Sequence, residues 1–157
     1  MVRPKYKPVT PDQRIRELRK EFRHLQTKVE PGPERAAQLA AFVRAAHAER
    51  HLNMAMHMAT LCLEEDPAPP ELLISAYLPP ELTDPEDRLR ALVDLDDLAR
   101  YVEAPALTTF VGTHLRPEAR AWIASGSEAE QRHRLRTLTS MFSREFADGI
   151  RDELRFG

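Results

Sequence analysis

Two histidines four residues apart, His47 and His51, lead the side chains in this sequence that could do chemistry. On one helix their imidazoles would stand on consecutive turns, close enough to hold a single ion. Met54, Met58 and Cys62 continue along the same side, and their sulfurs would suit a soft metal such as Cu(I). Two features count against metal. His47 to Cys62 would span about 22 Å of helix, so one ion could use only near neighbours. The run His47-Ala-Glu-Arg-His51 also carries its acid at the middle position, unlike the HExxH arrangement of zinc proteases. A core helix that uses Met as filler and carries His at its edges accounts for the same residues. Metal binding at His47 and His51 therefore remains an alternative reading, and no cofactor is expected.

The second chemistry is that of positive charge. Arg16, Arg19, Lys20 and Arg23 recur at helical spacing, and Lys5 and Lys7 precede them beside Tyr6. Arg136, Arg144 and Arg151, with His133, Ser140 and Arg155, gather on one side of a second helical stretch near the C-terminus. Such faces suit an acidic protein surface or a phosphate backbone, and a solvated surface with local ion pairs explains them equally well. Arg outnumbers Lys 19 to 4, and all four Lys lie within the first 28 residues. The Arg-only remainder points to GC-rich codon usage, so one downstream Arg says little. The Lys cluster runs against that bias.

Catalytic templates are missing. The sequence has no GxSxG elbow, Walker loop or dinucleotide fingerprint, and Cys62 with an unspecified His is no dyad on sequence evidence. A helix-turn-helix over Leu95 to Leu115 would make the chain a DNA-binding transcription regulator. Its second helix, Ala106 to His114, offers no Arg, Lys, Asn or Gln to read base edges, and Asp94, Asp96, Asp97 and Glu103 would repel phosphate.

The elements that would carry these residues are helices punctuated by proline: 13 Pro and 5 Gly in 157 residues, with few β-branched runs. Residues 1–10 read as an extended, basic, Pro-rich tail. Thr10-Pro11 starts a first helix whose Ile15, Leu18, Phe22, Leu25 and Val29 form a narrow apolar seam at 3-4-3-4 spacing. No Pro or Gly interrupts residues 34–65, which predicts one long central helix about 45 Å long. Leu39, Val43, Met54, Met58 and Leu61 would lie on one side of it, with Phe42, Leu52, Met56 and Leu63 elsewhere. A helix so apolar all round should be buried, its cover coming from Phe142 or Phe146 of the last helix. Short helices follow at 71–78 and 86–103, the second capped by Asp84-Pro85 with Leu89, Leu92, Leu95, Leu98 and Val102 as its apolar stripe, and two more open at Pro105 and Pro117. Ser127 to Glu130 reads as a capping box that begins a long C-terminal helix, about 127–154. Its stripe would be Leu135, Leu138, Phe142, Phe146 and Ile150.

Together these elements predict an all-α, single-domain helical bundle of about six or seven helices over residues 11–157. The length suffices for a core without staples. Cys62 is the only cysteine, no apolar stretch follows the N-terminus, and the longest low-charge stretch is too short to cross a bilayer. A cytoplasmic protein without a membrane segment is expected. Residues 1–30 carry nine basic and four acidic side chains, and residues 64–104 carry three and twelve. This uneven charge, with no catalytic signal, points to a non-enzymatic interaction protein. It would be a small subunit or regulator that docks on a larger assembly, protein or nucleic-acid-containing, through its tail and first helix.

Overall fold

The computed structural model describes residues 10–64 and 70–156. The expected tail therefore lies outside the described residues apart from Thr10, and Lys5 and Lys7 with it. Among the described residues the chain is all-α, with eight helices and no strand. None of these helices is long and apolar enough to cross a membrane. The chain divides into two compact units, Met1–Ala76 and Tyr77–Gly157.

In the first unit, α1 (Pro11–Lys28) begins as its sequence dictates. Thr10 accepts from the Gln13 N–H, the Gln13 side chain accepts from the Thr10 N–H, and Pro sits at the first helical position. The apolar seam is only partly covered: Leu18 and Phe22 are buried, while Ile15, Leu25 and Val29 are half-buried. Helix α2 (Pro33–Ala48) returns antiparallel to α1. Arg14 near the start of α1 reaches Glu49 just beyond the end of α2, and Phe22 meets Phe42 edge-on at 6.4 Å. Arg35 ties the turn by donating to the Gln26 and Val29 carbonyls.

The long helix expected over 34–65 is two helices, α2 and α3 (Leu52–Leu63). The break is a cap made without glycine. Arg50 lies in the left-handed region at φ 65°, the Arg50 N–H bonds the His47 carbonyl, and the His51 N–H reaches back to Ala46. This is the paired bonding of a Schellman turn. Its usual sequence signal is Gly, and here Arg occupies the position. Leu39, Val43, Met54 and Met58 are buried as expected. Leu61, Phe42, Leu52, Met56 and Leu63 are only half-buried, so the apolar coat is not covered all round. Helix α4 (Pro70–Tyr77) closes this half of the chain, with Leu73 and Ala76 buried.

The second unit contains α5 (Pro85–Val102), α6 (Pro105–Ala124), α7 (Glu128–Met141) and α8 (Arg144–Phe156). Asp84 caps α5 by accepting from the Asp87 N–H, and Leu89, Leu92, Leu95 and Leu98 are its buried stripe. Helix α6 corrects a second expectation, because Pro117 lies inside it and opens no new helix. Proline removes one helical hydrogen bond and crowds the preceding turn. Here it is on the exposed side, and the buried stripe Leu107, Val111, Leu115, Ala119 and Ile123 runs past it on both sides. Packing of that stripe outweighs the lost bond. Arg88 near the start of α5 grips Glu118 late in α6 at 2.7 Å, which makes the two helices antiparallel.

The long helix expected over 127–154 is also two helices, α7 and α8. The capping box at its start is present: Ser127 accepts from the Glu130 N–H and Glu130 from the Ser127 N–H. Fourteen residues on, Phe142 leaves helical geometry and Ser143 accepts from the Phe146 N–H, capping a new helix. Leu138, Ala147 and Ile150 are buried, while Leu135, Phe142 and Phe146 are half-buried. Gly126 is set by close approach: a Cβ there would stand 2.9 Å from the Glu130 Cβ.

Candidate interaction surfaces

Helix α1 carries its cations on the side away from its seam. Arg16, Arg19, Lys20 and Arg23 are exposed, and among the described residues none of the four makes an ion pair. Arg16 alone makes a side-chain hydrogen bond, to the Asp12 carbonyl at 3.4 Å. Arg14, two residues before the stripe, is engaged instead. It donates through Nε and Nη2 to both Glu49 oxygens, at 2.9 and 3.0 Å. That pair holds the Glu49 carboxyl below the usual range, chiefly through the hydrogen bond from Arg14. One edge of the stripe is acidic. Lys20 shares an open groove of about 610 Å³ with Glu17, Glu21, His24, Leu25 and Phe42. The basic stripe is therefore narrow, bounded by carboxylates on the side that faces α2.

The C-terminal cations form a different object. Arg136 from α7 and Arg144 and Arg151 from α8 line one cleft of about 390 Å³ between the two helices, with Leu135, Thr139, Ala147 and Asp148. The break at Phe142–Ser143 creates the cleft by folding one predicted helix back on itself. Asp148 sits among the arginines, 4.0 Å from Arg144 Nε and 3.4 Å from Arg151 Nη1. Arg136 has no ion pair among the described residues, and it also lines an adjoining hollow with Arg90, His133, Thr137, Ser140 and Met141. The threonine hydroxyls here are committed: Thr139 donates to the Leu135 carbonyl and Thr137 to that of His133. The cleft's other side-chain donors are guanidinium groups, and of these Arg144 and Arg151 pair with Asp148, while Arg151 also lies 3.7 Å from Asp152. Arg155, placed by sequence on the same side, does not line it. Sequence spacing could have supplied Asp148, four residues after Arg144 and three before Arg151. Nothing in the sequence could have supplied Arg90, which belongs to a different helix.

The histidine pair loses its geometric premise. His47 is buried in the last turn of α2 and His51 is the residue before α3, so they do not stand on consecutive turns of one helix. Among the described residues a Glu49 carboxylate oxygen lies 3.9 Å from His51 Nε2. Among the described residues no group of three or more His, Cys, Asp and Glu could hold a metal ion. Cys62 is buried.

The pair expected as a helix-turn-helix is α5 and α6, of 18 and 20 residues, joined through Glu103 in the left-handed region and Ala104. Helix α6 extends beyond the expected His114 and so gains Arg116 and Arg120. Both turn to Glu153, Arg116 at 2.6 Å and Arg120 at 3.9 Å. The preceding helix concentrates negative charge. Burial and the nearby Asp94 and Asp96 raise the Asp97 carboxyl above its ordinary value, and burial raises the Tyr77 phenol likewise. No protein-family model, no curated protein and no solved structure matches this chain.

Proposed function

We propose that this chain is a non-catalytic interaction protein that docks on an anionic partner through its first helix. The observation that carries the reading is the contrast within α1. Arg14 is clamped to Glu49, whereas Arg16, Arg19, Lys20 and Arg23 stand exposed with no ion pair among the described residues. Charges held by acidic neighbours are largely satisfied, and a row of unsatisfied ones raises the local concentration of a counter-charged surface. The narrow stripe favours an acidic protein segment of a larger assembly over a broad polyanion. A cytoplasmic setting agrees with a lone buried thiol.

The test is one variant and two readouts. Replacing Arg16, Lys20 and Arg23 together by Glu should leave the melting temperature within about 2 °C, because exposed charges contribute little to stability. The same variant should lose the partners that the wild-type chain captures from its native host. Capture by the wild type should also fall as salt rises from 50 to 300 mM, since screening shortens the reach of exposed charges. A variant that melts much lower yet keeps every partner would show that the stripe serves the fold. A transcription regulator would instead be retained on duplex DNA by the wild type and released by salt. Stoichiometric copper or zinc, lost in His51→Ala, would favour the metal-binding alternative.

A further inference from the structure

We infer that the cleft between α7 and α8 is a binding site for a small phosphomonoester, with Arg136, Arg144 and Arg151 as the groups that hold its phosphate. The site is independent of the α1 stripe. Three arginines from two helices line one concavity, and guanidinium groups are a donor set suited to a phosphate's several oxygens. Leu135 and Ala147 line the same cleft, and its volume of about 390 Å³ lies within the range of small-ligand sites. The cleft therefore offers a charged end for phosphate and an apolar wall for an organic body.

The occupant is decided by charge. The unit Tyr77–Gly157 contains eleven Arg and no Lys against fifteen Asp and Glu, so it is acidic as a whole. A nucleic-acid backbone runs well beyond one Debye length, about 8 Å at physiological salt, and would meet that acidic surround. A single phosphate within reach of the three arginines would not. Among the described residues no Phe, Tyr or Trp lines the cleft or the adjoining hollow, so stacking platforms for a single strand are missing there too.

Asp148 sets the affinity. Asp148 lies near Arg144 and Arg151, whose side chains are 87% and 47% exposed. Ion pairs so exposed are weak, so an incoming dianion can displace Asp148 from the guanidinium groups. The carboxylate then remains as a like charge beside the phosphate. Removing it should tighten binding by up to about thirtyfold, the unscreened Coulomb effect of one unit charge on a dianion at roughly 4 Å in a water-like dielectric.

The experiment titrates the full-length, isotope-labelled chain with phenyl phosphate and, separately, with inorganic phosphate, at constant ionic strength, following backbone amide shifts. The expected result is a saturable shift confined to residues 135–151, tighter for phenyl phosphate than for inorganic phosphate. Arg136→Gln should weaken it at least about fivefold, and Asp148→Asn should tighten it, while Arg155→Gln, outside the cleft, leaves it unchanged. Because the two cleft variants act in opposite directions, loss of folding cannot imitate the pair. The proposal is overturned by shifts that never saturate below about 50 mM, by equal effects of Arg155→Gln and Arg136→Gln, or by weaker binding in Asp148→Asn. Equal affinity for inorganic phosphate would remove the organic body from the site. A 20-base-pair duplex that moves the same amides at lower concentration than phenyl phosphate would replace the small ligand with nucleic acid.

Discussion

Helices α2 and α3 on one side, and α7 and α8 on the other, are the same event with two outcomes. In both places a stretch free of Pro and of any helix-ending Gly in its middle folds as two helices with a sharp reversal. Around the first break the helices contribute Leu39, Val43 and Ala46, then Met54, Ala55, Met58, Ala59 and Cys62, all buried. Around the second, among the described residues, only Leu138, Ala147 and Ile150 are buried, and Arg136, Arg144 and Arg151 are left along a cleft. A reversal between two apolar faces makes core. A reversal between faces edged with charge makes a concavity lined by charge, which one straight helix could not form.

The largest expected effects test the first of these outcomes. Met58→Ala should cost about 2–5 kcal/mol in chemical denaturation, because Met58 is 1% exposed and its loss leaves a cavity. Leu61→Ala, on the half-buried side of the same helix, should cost distinctly less. Equal costs would mean that the apolar coat is covered on both sides, as a central helix would be.

The second outcome depends on Ser143, whose side chain satisfies the first turn of α8. Ser143→Ala should destabilise by roughly 1 kcal/mol, the usual worth of an N-cap, and Ser143→Asp should retain most of it. If Ser143→Ala is neutral by thermal melt, the break is held by packing of Phe142 and Phe146, whose rings meet edge-on at 5.0 Å.

A smaller effect distinguishes the two caps. Arg50 holds a left-handed conformation that Gly adopts without steric cost, whereas the cap at Phe142 has negative φ. The left-handed form costs about 1–2 kcal/mol for a residue with a Cβ, and Gly loses about 0.5–1 kcal/mol more entropy on folding. Arg50→Gly should therefore be more stable than Arg50→Ala by a few tenths to about 1 kcal/mol. Comparing those two variants removes the contribution of the Arg50 side chain itself.

The smallest effect is one of pH. The Glu49 carboxyl is held below its ordinary value by Arg14, so the folded state binds its proton less readily than the unfolded state does. Its contribution is present above the unfolded value near 4.5 and is lost as pH falls through the lowered folded value. Both side chains are more than a third exposed, so the contribution should be well under about 1 kcal/mol. Glu49→Gln should flatten stability against pH below 4.5 and change little at pH 7. A steeper acid loss in the variant would contradict this sign.

Much of the fold was legible in the sequence because its signals are local. Thr10 with Pro11, Asp84 with Pro85, and Ser127 with Glu130 each satisfy a helix end with atoms three residues away, and each cap stands where the sequence placed it. The misplaced boundaries lacked or contradicted such signals. Arg50 occupies a position usually marked by Gly, Ser143 was hidden within an apolar period that continues through it, and Pro117 announced a boundary that packing overrode. The surface charges divide the same way. Arg16, Arg19, Lys20 and Arg23 share one side of one helix by spacing alone. Arg136, Arg144 and Arg151 were grouped from a single-helix pattern, and they do line one cleft, but on two helices and with Arg90 nearby from a third.

By itself, then, the sequence determined that this chain is helical, where most of its helices begin, and which faces of α1 and α5 are apolar. Those properties follow from backbone hydrogen bonds and side-chain periods that act over three to seven residues. The tertiary structure decided where uninterrupted stretches reverse, which apolar side chains are covered, and that three arginines from two helices line one cleft with Asp148. Each of these is set by competition between distant surfaces for burial, and an energy summed over many contacts can outweigh one residue's preference for continuing or ending a helix.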